Sequence, residues 1–221
     1  MRRLRNQSPR RGFRDRSPSS LGCSPFPAAA LILAGGKSER MGRDKSMLLV
    51  DGRPMIEQIC TQLRPHFERL LISANDSRKY AFLNIDTVPD KIPGQGSLMG
   101  IASALAASEH DLNLVVACDI PRVDMAVVRR LMLDVEGHDG AVPQSEAGHI
   151  EPLFAVYRKR MLGALDATLR AGKRKIKDAL DQCDIKYVAL TGGESLRNLN
   201  TPEDYASFVA QRRAKEKHGY E

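Results

Sequence analysis

The chain predicts a three-layer α/β fold with a mostly parallel central sheet, and three observations predict it. Short apolar runs alternate with stretches of helical period along the first two thirds of the sequence. The polar residues that stand out come directly after apolar runs, where open α/β sheets collect their ligands. The length of 221 residues is ample for a buried core.

The first strand is expected at residues 29–33, an apolar run bounded by Gly35-Gly36. The segment after it carries Lys37, Ser38, Arg40, Gly42, Arg43 and Lys45. Glycines bring backbone N–H groups close to an anion, and Arg and Lys supply the positive charge a polyphosphate needs. Strand, glycine-rich turn and cations together describe a triphosphate cradle. Neither the GxxxxGK[ST] string nor GxGxxG is present.

A helix follows at 54–63, with Pro54 near its first turn. Strands are expected at 70–74 and 85–88, a helix at 98–107, and a strand at 114–117 ending in Cys118-Asp119. A helix at 123–133 and a strand at 140–142 complete the regular part. Beyond it the pattern gives a strand at 151–156, helices at 158–169 and 176–180, and a strand at 186–190. Thr201 as N-cap, Pro202 at the first helical position and acids in the first turn open a final helix. The glycine segment, Asn75, Asp90 and Asp119 all come directly after strands, so one mouth can collect them.

The net charge of +7 is unevenly spread. Residues 1–27 hold seven arginines against Asp15, leaving 27 basic and 26 acidic residues in the remainder. Residues 1–27 are therefore read as a disordered Arg/Ser/Pro-rich tail and 28–221 as a single domain. An organellar presequence shares that composition, and RNA binding would rest on the tail alone; the near-neutral remainder argues against nucleic acid as a partner. No run approaches the ~18 apolar residues of a membrane span. Cys23, Cys60, Cys118 and Cys183 are scattered without a CxxC pair, which fits a reducing cytosol and a cytoplasmic location.

Among residues able to carry chemistry, Asp119 ends a buried strand, where it either holds Mg²⁺ or caps the next helix. Asp90 lies in VPDKIPGQGSLMGI, an ordinary loop or a segment that accepts hydrogen bonds from a base. Asn75 ends a strand, where closing an Asx turn is its ordinary part. Asn198 and Asn200 precede the last helix, and Lys173-Arg174-Lys175 form a basic cluster that is a solvated face or a phosphate contact.

The string LAGGKSERMGRDKSMLLVDGRPMI, from Leu33 to Ile56, closely resembles the opening signature of the molybdenum cofactor guanylyltransferases. These belong to a wider nucleotidyltransferase superfamily that includes cytidylyl- and uridylyltransferases. CDIP around Asp119, EPLFAVY (151–157) and RNLNTPEDY (197–205) resemble later family strings, so the likeness spans residues 28–210. It implies a Rossmann-like nucleotide-diphospho-sugar transferase fold and transfer of GMP from GTP to molybdenum-molybdopterin, with transient contact to molybdoenzymes or their chaperones. It further implies nucleotide contacts at Leu33, Ala34, Gly35, Gly36, Lys45, Asn75, Asp90 and Asp119, with Lys45, Arg40 and Asp119 catalytic and Asp119 on Mg²⁺. Gly35-Gly36 resembles the guanylyl branch, whereas related cytidylyltransferases tend to show Ala-Ala-Gly. Relatives usually carry proline where this chain has Ser97. The alternatives are a cytidylyltransferase acting on molybdopterin or another phosphorylated acceptor, and a non-catalytic nucleotide-binding accessory protein.

Overall fold

A computed structural model describes residues 24–35, 44–191, 196 and 198–218, with side chains through 212. The chain runs β1 (Phe26–Leu33), a 3-10 turn (Lys45–Met47), a hairpin of β2 (Leu49–Val50) and β3 (Arg53–Pro54), α1 (Met55–Leu63) and β4 (Phe67–Ser73). Next come a second 3-10 turn (Arg78–Leu83), β5 (Thr87–Val88), α2 (Ser97–Ala107), β6 (Leu112–Ala117), α3 (Met125–Asp134) and β7 (Gly140–Gln144). The chain ends with β8 (Phe154–Arg158), a third 3-10 turn (Lys159–Met161), α4 (Leu162–Arg170), α5 (Lys177–Leu180), β9 (Ile185–Ala189) and α6 (Pro202–His218).

Seven strands form one sheet in the order β5-β4-β1-β6-β8-β7-β9. All its pairings are parallel except those of β8, which runs antiparallel to both β6 and β7. The connection from β7 to β8 is a hairpin-like loop, too short for the crossover that a parallel return needs. The sheet is thus mostly parallel, as expected, with one strand reversed by its own loop.

β1 lies inside the sheet, between β4 and β6. Ala28, Ala30 and Ile32 face one core with Ile56, Ile59 and Leu63 of α1 and Val127, Val128 and Leu131 of α3. Ala29, Leu31 and Leu33 face the other, against Leu98, Ile101 and Leu105 of α2, Leu165 of α4 and Leu180 of α5. A strand covered on both faces reads as an unbroken apolar run, which is why FPAAALIL shows no alternation. The helices on the two faces make the three layers.

Several boundaries differ from the sequence expectation. β8 occupies 154–158 rather than 151–156, because Glu151 N–H bonds back to the Pro143 carbonyl at 3.0 Å in the loop before the strand. The helix expected at 158–169 begins as a 3-10 turn and becomes α4 only at Leu162. β1 opens at Phe26, its ring 5.4 Å from that of Phe67, while residues 1–23 of the expected tail lie outside the described residues. No described helix is long and apolar enough to cross a membrane.

Candidate active site

Register brings the strand ends level. Leu33 is paired with Ser73 on one side and with Ala117 on the other, and Ser73 in turn with Val88. Gly35, Asn75, Asp90 and Asp119 therefore all emerge within two residues of the last ladder pairs, at one edge of the sheet. This is the mouth the sequence anticipates.

At its centre Lys45 Nζ lies 3.3 Å from Asp119 Oδ2 and 3.0 Å from Asn200 Oδ1. Both charged side chains are largely covered, at 16% and 23% exposure. Three distant segments meet here for identifiable reasons. Asp119 follows β6, whose exit is fixed by a bond from Cys118 N–H to the Leu33 carbonyl at 3.0 Å. Asn200 is delivered by Leu199, fully buried, whose N–H donates to the Asp119 carbonyl at 2.8 Å. The Asp204 carboxylate then accepts from the backbone N–H groups of Asn200 and Thr201 at 3.1 and 2.9 Å, while Asp204 N–H donates to Thr201 Oγ1 at 3.1 Å. That reciprocal capping box opens α6 and fixes the approach of Asn200.

The donor set suits a hard cation. Asp119 Oδ2 and Asn200 Oδ1 are oxygens that converge on one positive charge, the Lys45 ammonium, and Mg²⁺ is content with one carboxylate plus neutral oxygens. Cys118, next to Asp119, offers no thiolate: burial, and then the charge of Asp119, pushes its thiol up to about 12. No three His, Cys, Asp or Glu side chains cluster as a metal site among the described residues.

Beside this centre Asn75 and Asp90 form a reciprocal pair. Asn75 Nδ2 donates to Asp90 Oδ2 at 2.9 Å, and Asp90 N–H donates to Asn75 Oδ1 at 2.8 Å. Both ends of the Asn75 amide are thus engaged by Asp90, so Asn75 orients that carboxylate. Gly100, in the first turns of α2, lies under the pair. A Cβ there would sit 2.9 Å from Ser73 Oγ and 3.6 Å from Asp90 Oδ1, so only glycine lets α2 approach this closely.

The remaining expected residues are placed differently from one another. Leu33 and Ala34 are nearly buried, and Ala34 and Gly35 both donate their N–H groups to the Ser73 carbonyl at 3.0 Å. The Gly35 N–H, expected to face a triphosphate, is thus directed into the fold. Gly35 itself is exposed, and a Cβ on it would make only ordinary contacts at 3.6 Å. Gly36 and Arg40 lie outside the described residues. The strings at 151–157 and 197–205 meet through Asn198 Nδ2 and Glu151 Oε2, 3.3 Å apart, while Asn198 Oδ1 is buried without a partner among the described residues.

Sequence reasoning missed two contributors. The sequence places Asn200 in the family-like string before the last helix, but no spacing rule links it to Lys45 across 155 positions. Nor does the sequence single out the buried hydroxyls of Ser46 and Tyr80, 3.0 Å apart, although Ser46 lies within the 33–56 string.

Comparison with known proteins bears on this mouth. A family model described as a MobA-like NTP transferase domain matches residues 30–186. The chain is 38% identical over 185 residues to a probable molybdenum cofactor guanylyltransferase of Carboxydothermus hydrogenoformans, covering 80% of this chain and 93% of that one. It is 34% identical over 190 residues to the molybdenum cofactor guanylyltransferase of Vibrio parahaemolyticus, covering 83% and 96%. Among solved structures, molybdopterin-guanine dinucleotide biosynthesis protein A of Archaeoglobus fulgidus superposes with a TM-score of 0.71 at 25% identity, covering 85% of this chain and 99% of that one. A cytidylyltransferase for 2-C-methyl-D-erythritol 4-phosphate from Thermus thermophilus, at 16% identity and a TM-score of 0.62, shares the fold, with 83% and 98% coverage.

Proposed function

The chain belongs to the MobA-like NTP transferase family, and from that premise we propose that it transfers GMP from GTP to the terminal phosphate of molybdenum-molybdopterin. The products are pyrophosphate and the guanine dinucleotide form of the cofactor. The observation that carries this reading is the meeting of Lys45, Asp119 and Asn200 at the level strand ends.

An oxygen of the acceptor's terminal phosphate attacks the α-phosphorus of GTP in line. The bond from that phosphorus to the bridging oxygen breaks, and pyrophosphate leaves with the electron pair. The nucleophile is already anionic, so no general base is needed, and positioning with charge neutralisation supplies most of the acceleration. Lys45 neutralises charge growing on the leaving pyrophosphate, and Arg40, in the same cation-rich segment, is assigned to assist it. Asp119 and Asn200 would hold Mg²⁺, which when bound supplies positive charge to the triphosphate oxygens. Asp90, oriented by Asn75, accepts from the N1–H and N2–H₂ donors of guanine. The 151–157 and 197–205 strings, joined by Glu151 and Asn198, form the acceptor side. Transfer of the finished cofactor to molybdoenzymes or their chaperones requires transient contact with them.

Substitution of Asp119 and Lys45 tests this chemistry. Asp119→Asn keeps the shape and loses the charge, and it should abolish Mg²⁺-dependent transfer in a protein that still folds. Lys45→Ala should lower kcat about a hundredfold or more, the scale of losing one transition-state donor, while the acceptor KM stays near wild type. Near-native turnover by Asp119→Asn at ordinary Mg²⁺ rules out the metal role.

A further inference from the structure

One buried phenol ties the neighbours of Lys45 to the end of β1. The ring of Tyr80 lies in the core with Ala34, Ile72, Ala74 and Leu83, and the residue is 1% exposed. Phenylalanine would fill that space as well, so the hydroxyl needs its own explanation. It donates to the Ala34 carbonyl at 3.1 Å, one residue past the last β1 ladder pair, and lies 3.0 Å from Ser46 Oγ. Ser46 is fully buried and immediately follows Lys45. On the other side of Lys45, Asp44 accepts from Ser46 N–H at 3.0 Å, and its second oxygen is paired with Lys79, the residue before Tyr80.

The hydrogens give this network a direction. The Ala34 carbonyl can only accept, so its hydrogen bond uses the Tyr80 hydrogen. Asp44 is a carboxylate and can only accept, so at 2.7 Å it takes the Ser46 hydroxyl hydrogen as well as the Ser46 N–H and the Lys79 ammonium. Ser46 Oγ can then meet Tyr80 only as an acceptor, so the one phenol hydrogen is shared between Ser46 Oγ at 3.0 Å and the Ala34 carbonyl at 3.1 Å, and the chain runs from Tyr80 through Ser46 to Asp44 with Ala34 as its second anchor. Residues 44 and 46 are both held by the 3-10 turn Arg78–Leu83, and the residue between them is Lys45.

We infer that Tyr80 is a positioning residue for Lys45: by joining Ser46 to Ala34, its hydroxyl sets where the Lys45 ammonium stands relative to Asp119. The inference rests on the nucleotidyl-transfer reading for the role it gives Lys45. It is tested on the full chain with inorganic triphosphate as the binding probe and GMP transfer as the kinetic one. Tyr80→Phe should weaken triphosphate binding and lower kcat about tenfold, the scale of one buried hydrogen bond lost, with the acceptor KM unchanged. Ser46→Ala removes the same link from its other end together with the bond to Asp44 and should cost at least as much, which keeps the test open if one variant folds poorly. In a Lys45→Ala background neither substitution should cost anything more, because a residue acting only through Lys45 has nothing left to position. Wild-type triphosphate binding by both single variants, or losses that add to that of Lys45→Ala, would overturn the inference while leaving guanylyl transfer intact. Weakened triphosphate binding in Tyr80→Phe, with a wild-type chain that makes no guanylated pterin, supports the inference and sinks the transfer reading instead.

Discussion

At the scale of single residues, the mouth works by pairing each functional group with a partner that fixes it. Lys45 is held between Asp119 and Asn200, and Asp90 is held by Asn75 through both its carboxylate and its backbone N–H. The second pair leads to a prediction. Because both ends of the Asn75 amide go to Asp90, Asn75→Ala should weaken GTP binding through the carboxylate it releases. The expected loss is about tenfold in affinity, the scale of one hydrogen bond to a charged group, since Asn75 is exposed and Asp90 only half-buried. In calorimetric titrations the Asn75→Ala/Asp90→Ala double variant should bind no more weakly than Asp90→Ala alone. Additive losses would mean that Asn75 meets the nucleotide directly.

At the scale of elements, α2 reaches the site only because Gly100 lacks a side chain. Gly100→Ala would put a Cβ 2.9 Å from Ser73 Oγ, and overpacking of this kind costs about 1–3 kcal/mol. Thermal unfolding should show that loss, and Ser73→Ala in the same chain should restore part of it by removing the opposing oxygen. No restoration would place the strain elsewhere. The elements that carry the site were legible where β1 and β6 are buried runs and where α1 and α3 bury one face at helical period. The β2–β3 hairpin was passed over although its signal is present: Val50-Asp51-Gly52-Arg53 places a two-residue turn between strands, with Asp51 and Gly52 at φ 50° and 75°. Strands of two residues show no alternation to detect. The hairpin matters because α6 packs on it, through Phe208 against Val50 and Met55 and Arg212 to Asp51 at 2.8 Å, which holds the segment carrying Asn200. Contacts so far apart in sequence leave no local pattern, so Lys45 and Asp119 could be named in advance while their meeting with Asn200 could not.

At the scale of the whole molecule, charge and catalysis are separated along the chain. Seven arginines lie before position 28, whereas the segment that holds the mouth is close to neutral. A chain of residues 24–221 keeps Phe26 and its contact with Phe67, and its transfer rate should stay within about tenfold of the full chain, roughly 1.4 kcal/mol in the barrier. A larger loss in steady-state assays would give the first residues a catalytic part. The central claim, guanylyl transfer, depends on the base. With Asp90 in its proposed role, guanine would present two adjacent donors to it; cytosine has no such pair and would leave the carboxylate unmatched, and a site built on hydrogen bonds can reject such a base by several orders of magnitude. The direct measurement is a competition with equimolar GTP, CTP, ATP and UTP, Mg²⁺ and molybdenum-molybdopterin, reading which pterin dinucleotide forms. The guanine dinucleotide should predominate; a predominantly cytosine product would contradict the assignment.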